Sequence, residues 1–136
     1  MKNVPLARAI AGVAAVAATI AGMAPAGAQT YPDRPIRLVV PFPPGGGSDI
    51  TARTIAQKLS EVLGQQVVAD NRGGAGGNIG TDIVAKSQPD GYTLVMALSG
   101  PFTINGSLMG KLPFDPLKDF ALITLAGATP NLLVTH

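Results

Sequence analysis

The chain has 136 residues with no cysteine, no tryptophan and one histidine, and ten Lys and Arg stand against eight Asp and Glu. Without cysteine it has neither disulfides nor thiolate metal sites, and its length is that of one small domain. Lys2 and Arg8 both fall in the leading segment, so the remainder carries eight residues of each sign and clusters none of its Lys and Arg. It therefore lacks the basic patch that a nucleic-acid partner would need.

The leading segment predicts export. Lys2 and Arg8 form a positive start, residues 9–23 are Ala, Val, Ile, Gly and Met with one Thr, and Ala26-Gly27-Ala28 has the small-x-small form that signal peptidase cuts. Residues 1–28 read as a signal peptide, with cleavage after Ala28 and a periplasmic destination. A membrane anchor fits less well, because about 20 apolar residues are needed to span a bilayer and Pro25 interrupts the run.

Residues 29–136 read as one α/β ligand-binding domain. Pro32 and Pro35 keep the first stretch extended. Residues 36–40 (IRLVV) have the apolar, β-branched character of a central parallel strand. Residues 41–49 (PFPPGGGSD) form a turn. Ala52, Ile55, Ala56, Leu59, Val62 and Leu63 then recur at helical spacing. Ser48 or Asp49 is placed to cap that helix, and Gly64 to end it. Residues 66–70 predict a second strand, 71–78 (NRGGAGGN) a second glycine-rich turn, and 79–86 a second helix. Turn residues at 87–91 precede a third strand over 92–97. Ser99-Gly100-Pro101 breaks it, a short helix is expected over 105–109, and two further strands over 120–126 and 132–135. Strand and helix alternate, which predicts a mainly parallel sheet with helices on both faces. In such sheets ligands sit outside the carboxyl ends of the strands, where three of the turns fall.

The first turn invites several anion chemistries. A phosphate loop needs Lys after its glycines, and no Lys lies between Arg37 and Lys58. A dinucleotide fingerprint needs a third glycine where Ile79 stands. A nucleophile elbow needs Gly-x-Ser-x-Gly, but Ile50 replaces the last glycine and the one histidine is the terminal His136. No metal site and no cofactor is expected. What remains is a backbone cradle. Gly45, Gly46 and Gly47 have no Cβ to keep a ligand away, and the unpaired N–H groups of the following helix favour an anion. The turn at 73–78 repeats the device.

These residues resemble a known family. Tyr31-Pro32 with Arg34-Pro35-Ile36 just after the signal, then Val40-Pro41-Phe42-Pro43-Pro44-Gly45-Gly46 and Asp49, are similar to the substrate-binding proteins of tripartite tricarboxylate transporters, the Bordetella uptake gene family. Asn71 to Gly80, Pro89-Asp90-Gly91-Tyr92-Thr93-Leu94, and Pro113-Phe114-Asp115-Pro116 with Lys118-Asp119-Phe120 follow in the order of that family's later motifs. The resemblance implies a periplasmic binding protein-like (type II) fold with two domains, which closes on a small organic carboxylate and delivers it to integral membrane subunits. It places ligand contacts at Phe42, Pro43, Gly45, Gly46, Gly47, Ser48 and Asp49, at Ala75, Gly76, Gly77 and Asn78, and at Ser99, Gly100 and Thr103, with no catalytic residue. Two positions depart from the pattern. Phe102-Thr103-Ile104-Asn105 stands where His-Ala-x-Asn is frequent, and Gly73 stands where Pro is usual. Members run to two domains, so this chain is expected to hold the first without the second. Two alternatives accompany this reading: a small exported hydrolase using Ser48, and a carboxylate-sensing receptor that docks to a membrane kinase.

Overall fold

A computed structural model describes residues 30–128; the export signal expected over 1–28 and the strand expected over 132–135 lie outside them. β1 (Ile36–Val40) is the middle strand of a three-stranded sheet, with β2 (Val67–Asn71) on one side and β3 (Thr93–Val95) on the other, all parallel. This position accounts for the composition of β1. Ile36, Leu38, Val39 and Val40 are each no more than 5 % exposed, because a strand paired on both edges and covered on both faces has no solvent side. The half-buried exception, Arg37, donates from its guanidinium to Asp70 of β2 at 2.6 and 2.8 Å.

α1 (Gly47–Leu63) joins β1 to β2, α2 (Asn78–Ala85) joins β2 to β3, and α3 (Asn105–Leu108) follows a π-helical turn at Gly100–Ile104. The first crossover leads outward from β1 and the second returns across it. Right-handed connections running in opposite directions put their helices on opposite faces of the sheet. On one face Ala52 and Ala56 of α1 pack with Ile36, Leu38, Val40 and Val67, bordered by Leu59, Leu63, Leu94 and Met96. The small alanines let the helix lie close to the sheet. Gly64 ends α1 in the left-handed region at φ 68°, with its N–H on the Ser60 carbonyl at 3.1 Å, as its place in the sequence predicts. The Ser60 hydroxyl accepts from the Val67 N–H at 2.8 Å, which ties the end of α1 to the first residue of β2.

Element boundaries shift by a residue or two from those expected. β2 starts at Val67 and includes Asn71, α2 starts at Asn78, and β3 is shorter than the predicted stretch, although the Met96 N–H still reaches the Val39 carbonyl at 2.9 Å. The strand expected over 120–126 does not form. Leu122, Ile123 and Leu125 are exposed there, and the segment pairs with neither sheet edge. Apolar, β-branched character favours a strand only through cross-strand packing, and here no described strand lies alongside. Phe120 instead turns back, edge-on to Phe102 at 4.9 Å and to Phe114 at 5.8 Å between centroids.

Gly80 is where α2 touches the sheet connections. A Cβ there would stand 2.5 Å from the Arg72 carbonyl oxygen and 2.9 Å from Pro41 Cα, both backbone atoms that cannot swing aside. Gly80→Ala is therefore expected to lower stability by about 1–3 kcal/mol through overpacking. The urea midpoint of the variant measures this, and an unchanged midpoint would contradict the close approach.

Candidate functional site

Parallel pairing brings the carboxyl ends of all three described strands to one edge of the sheet, with β1 in the middle, the position at which open α/β sheets bind ligands. The loop after β1 is shaped by a buried carboxylate. Gly46 is the N-cap of α1 and no side chain caps the helix, so Ser48 does not take the role expected of it. Asp49, at the third helical position, turns back to accept the Gly45 N–H at 2.9 Å. It also accepts from Arg53 Nε at 3.0 Å and Asn71 Nδ2 at 2.9 Å. Asn71 donates as well to the Phe42 carbonyl at 3.0 Å, and its own oxygen accepts from Arg53 at 2.8 Å. The Asp49 side chain is only 5 % exposed. Hydrogen bonding from Arg53, then from Gly45 and Asn71, lowers its pKa to about 2. Asp49 thus fixes the loop through three protein donors and offers no free oxygen of its own. The N–H groups of Gly47 and Ser48 begin α1 and have no acceptor within the helix.

The loop after β2 runs through four consecutive residues with positive φ: Gly74 at 131°, Ala75 at 48°, Gly76 at 64° and Gly77 at 94°. Ala75 is the one of these with a Cβ, and the left-handed region costs such a residue about 1–2 kcal/mol. The Gly77 N–H closes the turn on the Gly74 carbonyl at 2.9 Å, and the Thr81 hydroxyl holds the Gly77 carbonyl at 2.9 Å.

The three loops meet at Gly77. A Cβ there would stand 2.8 Å from Pro101 Cγ and 3.1 Å from Phe42 Cε2. Gly73 makes a second close approach, with the site of its missing Cβ 3.3 Å from Pro43. Behind this junction, Asn105 donates to the Gly76 carbonyl at 3.2 Å and to Asn78 Oδ1 at 2.7 Å, and Asn78 donates to Met109 Sδ at 3.3 Å. The Thr103 hydroxyl bonds the Ser99 carbonyl at 2.6 Å and stiffens the π-helical turn.

The residues predicted from sequence therefore gather on one rim in different roles. Pro43, Gly45, Gly46, Gly47, Ala75, Gly76, Ser99 and Thr103 are exposed; Phe42, Ser48 and Gly100 are half-buried; Asp49, Gly77 and Asn78 are buried and hold the loops. Sequence reasoning missed Asn71, Pro101 and Asn105. A polar residue closing an apolar strand was the available signal for Asn71. No hydrogen bond among the described residues joins Ser48 to a base, and His136 lies outside them. Among the described residues no group of three or more His, Cys, Asp or Glu is placed to hold a metal, and no helix is long and apolar enough to cross a membrane.

A three-stranded parallel sheet with helical crossovers, its glycine-lined loops gathered at one edge, defines the class as an open α/β domain. Over residues 51–136 the chain matches the tripartite tricarboxylate transporter family of receptors, and it belongs to that family. It is 46 % identical over 132 residues to Protein BugT of Bordetella pertussis, covering 96 % of this chain and 40 % of that protein. Among solved structures it is similar to MatC from Rhodopseudomonas palustris with bound malate, at 39 % identity and a TM-score of 0.64 over 66 % of this chain and 31 % of the other. It is also similar to an R. palustris protein with adipate, at 44 % identity and a TM-score of 0.62 over 63 % and 29 %. These likenesses show the periplasmic binding protein-like architecture. The chain spans about two fifths of the length of the curated relative.

The low pKa of Asp49 sets a pH window. A carboxyl held at about 2 in the fold against an ordinary 3.8 stabilises the fold above pH ~4, and that stability is lost as pH falls from there toward 2. Asp49→Asn is expected to be less stable than the unaltered chain at pH 7, with the gap narrowing toward pH 2. Thermal unfolding between pH 7 and 2 checks this; a gap independent of pH would contradict the role given to Asp49.

Proposed function

We propose that this chain is the ligand-grasping first domain of a periplasmic receptor for a small organic carboxylate, a di- or tricarboxylate or related acid, which feeds the integral membrane subunits of a tripartite transporter once the signal over residues 1–28 is removed. Its work is binding and release, without a catalytic step. The observation that carries this reading is the junction at Gly77, where loops from three strand ends are held within contact distance.

The chemistry of the rim suits a carboxylate. The free N–H groups at the start of α1 point outward and the helix dipole favours negative charge beside them. Among the described residues the cations beside these loops are already paired: Arg53 with Asp49 and Asn71, and Arg72 with Asp70. Family membership supports the same class, and relatives solved with malate and with adipate show two carboxylates accommodated on this architecture. Gly45, Gly46, Gly47, Ala75 and Gly76 on this rim are exposed, so the ligand's far end gains little from these loops alone. Affinity is expected to be weaker than that of a full-length relative.

Isothermal titration calorimetry with malate, adipate and inorganic phosphate tests the proposal. The two carboxylates are expected to bind and phosphate is not. Gly77→Ala, which forces Pro101 and Phe42 away, is expected to weaken both carboxylates at least about tenfold, a loss of about 1.4 kcal/mol. Unchanged affinity in a folded Gly77→Ala variant would count against this rim as the site, and tighter binding of phosphate would count against the ligand class.

A further inference from the structure

We propose that Asn105 selects the ligand's chemical class: its side-chain oxygen accepts a hydrogen bond from a hydroxyl carried by the bound carboxylate, so the site favours hydroxy acids over the same acids without the hydroxyl. This rests on the carboxylate reading above. Asn105 is 6 % exposed and opens α3 behind the third loop. Its amide nitrogen has two hydrogens, and both are used, on the Gly76 carbonyl and on Asn78 Oδ1. A backbone carbonyl can only accept, which fixes the amide's orientation. Asn78 is fixed in turn by its own donation to Met109 Sδ.

The Asn105 side-chain oxygen is thereby left without a donor among the described residues. It is not sealed off: the side-chain atom that is both buried and unpartnered among the described residues is Asp82 Oδ1. The oxygen lies 3.8 Å from where a Cβ would stand on Gly76 and 3.8 Å from where one would stand on Gly100. It therefore sits between the bare faces of two glycines, one on each of two rim loops. Solvent reaches this oxygen, so it relies on water for a donor, and a ligand that displaces the water must supply one in its place.

The rim's other open polar groups are backbone N–H donors and the hydroxyls of Ser48 and Ser99, and a carboxylate can accept from all of these. A carboxylate oxygen has no proton to give to Asn105 and is repelled by its oxygen. An O–H on the carbon next to the carboxylate supplies the missing donor, with the carboxylate on the loop N–H groups and the hydroxyl on Asn105 Oδ1. An acid without the hydroxyl displaces the water and supplies no donor, a loss of about one net hydrogen bond.

Calorimetry on the whole chain with malate, succinate and 2-methoxysuccinate tests this. Malate is expected to bind about tenfold tighter than either of the others, the worth of one net hydrogen bond. In Asn105→Leu the malate-to-succinate ratio is expected to fall to about one, with malate losing more than succinate. A purely structural role would weaken both alike and keep the ratio. If the variant does not fold, the three ligands on the unaltered chain decide. Equal affinity for malate and succinate there, or an unchanged ratio in a folded variant, overturns the role of Asn105 and leaves the cradle standing. Binding of none of the three overturns the cradle and this proposal together.

Discussion

Three loops from three strands come together because position 77 has no side chain. The open sides of Phe42 and Pro101 face a backbone that even one methyl group would push away. The parallel sheet supplies the setting by bringing every carboxyl strand end to one edge. The run of positive φ from Gly74 to Gly77 supplies the bend. Thr81 from α2 and Asn105 from α3 then hold the bend by its carbonyl oxygens. The Gly77 junction depends on each of these, and the grouping of backbone N–H donors on the rim depends on the junction.

The charges nearest the rim serve the loops. Asp49 and Arg53 neutralise each other through Asn71 and the Gly45 N–H, so the first loop is fixed while its outward surface stays uncharged. Aliphatic and aromatic side chains, Phe42 and Met109 among them, border the N–H groups. In the proposed reading, backbone dipoles attract a carboxylate without demanding a particular body, which suits a family whose solved members are shown with malate and with adipate. Discrimination then falls to the few polar side chains at the margin.

Much of this was legible in the residues. Ile36–Val40 has the unbroken apolar pattern of a central strand, and Gly64 sits where a helix ends. The glycines at 45–47 and 73–77 mark the rim without a family comparison. The roles of single polar residues were less legible. Ser48 has the form of a cap, yet Asp49 serves the loop from inside the first turn. The competition between them is settled by Asn71, which arrives from β2, more than 20 residues along the chain. Asn105 is one asparagine in a short helix until Gly76 and Asn78 are folded against it. Residues 120–126 read as a strand on composition because β-propensity does not encode whether a partner edge is available.

The most direct measurement is the amide spectrum of isotope-labelled chain titrated with malate. A backbone cradle predicts that the largest shifts fall on the N–H groups of Gly47, Ser48, Ala75 and Gly76, which have no acceptor in their own turns, while residues at the opposite end of the sheet, such as Thr93, stay still. Shifts confined to residues away from the Gly77 junction, or none at saturating ligand, would contradict a carboxylate held by these loops.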